Sequence, residues 1–216
     1  MKAWKEGDFA TAMSFAINQY RLDHYIATYK KPIVAMLNGY TMGGGVGISM
    51  NASFCIADET TVFAMPEVKI GHFPDVGASF FLPRMDGQTG IYLGLTGERL
   101  KGRDLLYAGI ATHYVPSERY QMLEQKLQGL GTSSYDAINK AIEEFVAQPE
   151  DNGIEYSLAA VRDAIDRCFR HNTIEEIIAA LEQESESQSE VHASWAKKTL
   201  GQLNSTSPSS LKLSLA

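Results

Sequence analysis

The chain has 216 residues with 44% apolar and 21% charged side chains, enough for a sizeable buried core and far from the composition of a disordered protein. A formal charge of −7 argues against a broad electropositive surface for nucleic acid or an anionic membrane, while leaving room for a locally basic pocket. No apolar run reaches the roughly 20 residues of a bilayer span, and the N-terminal MKAWKEGDFA has no secretory apolar region.

In chain order, Phe9, Ala12, Met13, Ala16, Ile17 and Tyr20 recur at three and four behind Asp8, which predicts an N-capped amphipathic helix ending before Pro32. Ile33 to Leu37 reads as a buried strand turning at Asn38-Gly39. A glycine loop from Gly43 to Gly47 then leads into a short helix, followed by strands at Phe54 to Ala57 and Val62 to Met65. A Gly/Pro-rich loop spans Pro66 to Gly77. Helices are expected around Thr89 to Leu95 and Gly102 to Ala108, with a strand at Ala111 to Val115.

Beyond Ser117 the pattern is helical: Glu118 to Leu127, Tyr135 to Val146, Ser157 to Phe169 and Thr173 to Glu184, the last with a Thr173/Glu176 capping box. Glu182 to Glu190 reads as a solvated helix end or linker, and Ser207-Pro208 as a further helix start. Thirteen acids against three arginines lie between Glu143 and Glu190, so the two halves carry different surfaces. Cys55 and Cys168, with no metal-ligand spacing around them, read as reduced structural residues.

Chemistry concentrates in the middle of the chain. Gly43 to Gly45 let backbone amides approach a ligand at a helix start, to stabilise an oxyanion or bind phosphate, or else let that helix pack closely on a strand. The spacing fits neither the dinucleotide fingerprint nor a P-loop. Glu67 after Pro66 and Asp75 after Pro74 are two carboxylates on proline-fixed backbone, suited to act as base, acid or nucleophile, or else a solvated residue and a helix cap. His72 lies between them as a neighbour. Phe15, Tyr20, Phe54, Phe63, Phe73, Phe80 and Phe81 are expected in the core. Arg99, Lys101 and Arg103 are the basic group best suited to a phosphate, or a solvated helix face.

The run KPIVAMLNGYTMGGGVGISMNASFCIADETTVFAMPEVKIGHFPDVGASFFLPRM, extended by LTGERLKGRDLLYAGIATHYV, resembles the crotonase (enoyl-CoA hydratase/isomerase) superfamily, and most closely its 3-hydroxyisobutyryl-CoA hydrolase branch. The resemblance implies an α/β fold: a partial crotonase-type spiral over residues 1–130 and a helical segment over 131–216. It implies an oxyanion hole at Gly44 beside Gly43, Glu67 as nucleophile or water-activating base, Asp75 as hydroxyl-positioning or proton-transferring group, and Gln19 where hydrolases carry an acid. Hydratases place a glutamate where this chain has Gly47, so thioester hydrolysis is favoured over hydration or isomerisation.

By the same resemblance the substrate is an acyl-CoA of valine breakdown. No metal or redox cofactor is expected, nor a nucleic-acid or membrane partner, and a homo-oligomer is possible for the superfamily. The location is mitochondrial for a eukaryotic member and cytoplasmic for a bacterial one. The family carries further strands and a CAGGD-like loop ahead of the position of Met1, and continues beyond the last helix. The chain therefore reads as a piece of the hydrolase, with weak or no activity alone, or as a non-catalytic relative kept for assembly or CoA binding.

Overall fold

The computed structural model describes residues 7–147 and 156–216. Glu150, Asp151 and Glu155 of the acidic stretch lie outside the described residues. Helix α1 (Phe9–Ala27) opens on Asp8, whose carboxylate accepts from Thr11 N at 3.1 Å. Strand β1 (Val34–Leu37) turns through Gly39, at φ +73, into the short strand β2 (Tyr40–Met42). Helix α2 (Gly44–Met50) leads to β3 (Phe54–Ala57), and β4 (Val62–Ala64) follows.

These strands belong to two small sheets. β1, β3 and β6 (His113–Tyr114) form a parallel sheet, and β2, β4 and β5 (Leu100–Lys101) form a second in which β5 runs antiparallel. Twice the chain passes from the first sheet to the second, at Asn38-Gly39 and at Asp58–Thr61. The corners are stitched together: Asn38 Nδ2 donates to Asp58 at 2.9 Å, Gly39 N to Thr60 Oγ1 at 3.0 Å and Val62 N to Gly39 O at 2.9 Å. Buried Asp58 is thus satisfied by its neighbours, as a buried carboxylate must be.

The helical layers follow: α3 (Ala78–Phe81), α4 (Thr89–Thr96), α5 (Asp104–Tyr107), α6 (Tyr120–Gln128), α7 (Tyr135–Glu143), α8 (Arg162–Cys168), α9 (Ile174–Glu184), α10 (Glu190–Asn204) and α11 (Pro208–Leu215). One face of the first sheet, through Phe54 and Ile56, packs on Leu123, Ile138 and Ile142 of α6 and α7. The larger core runs from Leu37 to Leu211 and contains an aromatic cluster, with Tyr92 at 5.3 Å from Phe169 and 5.9 Å from Trp195. Thr173 caps α9 as its capping box predicts, accepting from Glu176 N at 3.2 Å. The expected α/β spiral of strand and helix units is what the chain forms.

Three expectations are corrected. The polar stretch ending at Glu190 leads into α10, a 15-residue helix missed because Lys, Ser, Thr and Gly dilute its apolar stripe. Gly44 to Gly47 are not a loop but the start of α2, and the stretch before them holds β2, three residues long and therefore without a readable alternation. The third correction concerns the aromatics. Phe54, Phe63 and Phe81 are buried, Phe73 is half-buried, and Phe15, Tyr20 and Phe80 are 71%, 45% and 58% exposed. Helix α1 turns its aromatic stripe outward and seats itself through Ala16, Gln19, Asp23 and Ile26, which are the more covered positions at helical spacing.

Candidate functional site

The seating of α1 on α2 builds the site. A Cβ on Gly44 would lie 2.6 Å from Gln19 Nε2, and a Cβ on Gly47 would lie 2.5 Å from Val76 Cβ and 3.2 Å from Asp23 Oδ1. Positions 19 and 23 on one helix thus meet positions 44 and 47 on the other, a ridge of side chains laid into a groove of glycines. A glutamate at position 47 would have no space here.

Gly43 sits immediately before α2 at φ +51, ψ −120, a conformation open to glycine and strained for any other residue. A Cβ there would lie 3.0 Å from Glu67 Oε1. The amides of Gly44 and Gly45 fall in the first turn of α2, where N–H groups have no intrahelical acceptor. This glycine run therefore does both things its sequence allows: it packs a helix tightly, and it leaves amides at a helix start beside a carboxylate.

Glu67 does not end a strand, since β4 stops at Ala64; it opens a 3-10 turn (Glu67–Ile70) behind Pro66. It is 6% exposed, and its Oε2 has no hydrogen-bond partner among the described residues. Burial pushes its carboxyl above the usual range, against the pull of its own backbone amide, and the nearby Asp75 charge adds to the rise. A buried, half-unpartnered carboxyl of raised pKa is a candidate for acid–base work.

Asp75 lies in the segment between the 3-10 turn and α3. Its side chain does not cap that helix; its backbone carbonyl accepts from Ala78 N at 2.8 Å, and its carboxylate accepts from Tyr20 Oη at 2.7 Å. The hydrogen bond to Asp75, helped by partial burial, raises the Tyr20 phenol to about 12, so it remains a donor throughout the neutral range. His72 Nε2 stands 3.7 Å from the same carboxylate and is largely exposed, a neighbour as expected.

Gln19, Gly43, Gly44, Glu67 and Asp75 are therefore brought together, linked in space through Tyr20 and Gly47. Sequence reasoning missed Asp23, buried at 6% exposure, and Val76, whose φ of +46 is the one positive value outside glycine among the described residues. The signal for Asp23 was its place three residues after Tyr20 on one helix face. The basic group disperses instead: Arg103 is buried with its guanidinium 4.4 Å over the Tyr114 ring, while Arg99 and Lys101 are exposed elsewhere. Cys55 and Cys168 are free and buried, and burial pushes both thiols up to about 11.

A cavity of about 680 Å³ adjoins the site, walled by Tyr20, Asp23 and Asp75 on one side and by Leu82, Leu95 and Leu213 on the other. Its size is within the range of small-molecule pockets. Among the described residues, no three His, Cys, Asp or Glu side chains are grouped to hold a metal ion, and no helix is long and apolar enough to cross a membrane.

The sequence profile described as enoyl-CoA hydratase/isomerase matches residues 1–216. The chain belongs to the enoyl-CoA hydratase/isomerase family. It is 53% identical over 206 residues to the small ribosomal subunit protein mS47 of Neurospora crassa, covering 91% of this chain and 40% of that protein. It is 44% identical over 202 residues to the mitochondrial 3-hydroxyisobutyryl-CoA hydrolase of Homo sapiens, covering 93% of this chain and 50% of that protein. The chain thus spans about half the length of the curated relatives it matches. Among solved structures, a carnitinyl-CoA dehydratase from Mycobacterium thermoresistibile superposes with a TM-score of 0.82 at 32% identity, over 97% of this chain and 57% of that one. An enoyl-CoA hydratase from Rhodobacter sphaeroides gives 0.79 at 34% identity, over 99% and 57%.

Proposed function

We propose that this chain carries the glutamate half of an acyl-CoA thioester hydrolase site, acting on 3-hydroxyisobutyryl-CoA or a close 3-hydroxyacyl analogue. The carrying observation is buried Glu67 against Gly43, beside the first amides of α2. A thioester carbonyl oriented toward Gly44 N–H would receive a fixed donor where negative charge develops, and Glu67 would take a proton from the attacking water. Water adds to the carbonyl carbon, the tetrahedral oxyanion collapses, the C–S bond breaks, and the leaving thiolate takes a proton to give the free acid and CoA. Direct attack by Glu67, with an anhydride then hydrolysed by water, gives the same products. Asp75 with Tyr20, and Gln19 on the other side, are the polar groups for the 3-hydroxyl.

Hydrolysis is preferred to hydration because Gly47 has no space for a second glutamate. The relatives named as mitochondrial support a mitochondrial location in a eukaryote. No metal or redox cofactor enters the reaction as proposed.

A second reading has its own support. Two relatives are named small ribosomal subunit protein mS47, at 53% and 46% identity, and Gln19 stands where the resemblance to the hydrolases implies an acid. In that reading the fold is kept as a structural component with a protein partner. The test is paired: thiol release from 3-hydroxyisobutyryl-CoA by the purified chain, and co-sedimentation of the chain with mitochondrial small ribosomal subunits. Turnover that depends on Glu67 supports the enzyme; stable co-sedimentation without turnover supports the structural component.

A further inference from the structure

Asp23 is the anomaly of this site. It is 6% exposed, and neither of its carboxyl oxygens has a hydrogen-bond partner among the described residues. A buried ionised carboxylate without partners is so costly that such a group tends to keep its proton instead, and even a neutral buried group left unpaired is destabilising. Yet it occupies the wall shared by Tyr20 and Asp75, and its Oδ1 holds the space that a side chain on Gly47 would need.

We propose that Asp23 is a positioning residue of the site, an uncharged carboxylic acid beside the Tyr20–Asp75 hydrogen bond whose neutrality keeps that bond in place. Burial first, and the Asp75 charge second, both favour its protonated form. Ionised, Asp23 would repel the Asp75 carboxylate and compete for the Tyr20 proton three residues away on its own helix. The titratable groups around it are Tyr20 and His24 on α1, and Asp75 and His72 on the segment that packs against it, with Glu67 beyond Asp75; α2 presents only Gly47. Residue 23 thereby sets the pH range over which Asp75 is held.

The spectroscopic test is independent of turnover; only the kinetic readout rests on the hydrolase reading. In the chain labelled at aspartate Cγ and the tyrosine rings, the carbon lost in Asp23→Asn identifies Asp23. Its titration should lie above the range of exposed aspartates, move down in Asp75→Asn, and coincide with a change in the Tyr20 ring signals. If Asp23→Asn does not fold, the same resonance is identified in wild type by its shift in Asp75→Asn. In an active preparation, the ratio of turnover above the Asp23 midpoint to that below it should be about threefold higher in Asp23→Asn than in wild type. Titration of Asp23 in the exposed range, or a titration that leaves Tyr20 and the Asp75→Asn comparison unmoved, would overturn the assignment whether or not the chain turns over.

Discussion

Tyr20 Oη donates to Asp75 at 2.7 Å, joining the first helix to a loop 55 residues further along the chain. The bond is partly exposed, so its net contribution to stability is small, about 0.5–1.5 kcal/mol. Its larger effect is orientation. Tyr20→Phe is predicted to lower kcat/KM about tenfold while shifting the urea midpoint only slightly. A loss of stability above about 2 kcal/mol with unchanged kcat/KM would assign Tyr20 to the scaffold instead.

Gly43→Ala should cost about 1–3 kcal/mol, because the backbone at φ +51, ψ −120 is strained for alanine and the new methyl approaches Glu67 Oε1 to 3.0 Å. Chemical denaturation of the variant measures the cost. A neutral result would mean that α2 begins in another conformation.

Gly90 stands on α4 where a Cβ would run into the carbonyl oxygen of Leu82. Backbone cannot yield there as a flexible side chain can. Gly90→Ala is predicted to cost about 4 kcal/mol or more, or to prevent folding, as read from thermal unfolding. Retention of wild-type stability would contradict the packing of α4 against this turn.

How much of this was legible in the sequence depends on which forces fixed each part. Asp8, Thr173 and Ser207 announce their helices because a cap is a local interaction. Glu67, Asp75 and the glycine run were legible as a candidate site because prolines fix the backbone ahead of the carboxylates and glycines open conformations and close approaches denied to other residues. The outward face of α1 was not legible. Its apolar stripe has the right period, yet the helix seats on glycines through Gln19 and Asp23, a tertiary choice that periodicity does not encode. Buried Asp23 was missed for the same reason, since an aspartate on a helix ordinarily faces solvent.

Glu67 also makes a prediction for stability against pH. Its folded pKa is raised by burial, so the folded chain binds more protons than the unfolded chain as pH rises past the ordinary glutamate value. Stability associated with this group is therefore fully present below its unfolded pKa and lost as pH climbs through the folded one. Glu67→Gln, which removes the buried charge, should stabilise the chain more at pH about 8 than at pH about 4. Denaturation midpoints at the two pH values check the sign, and equal shifts would show that Glu67 is not desolvated.

Thiol release from 3-hydroxyisobutyryl-CoA by wild type and by Glu67→Gln decides whether Glu67 performs the chemistry of a thioester hydrolase. The expected result is weak turnover by wild type that falls about 10² to 10⁴-fold in the variant, the range for loss of a general acid–base group. Turnover retained within about threefold by a folded Glu67→Gln chain would contradict the account.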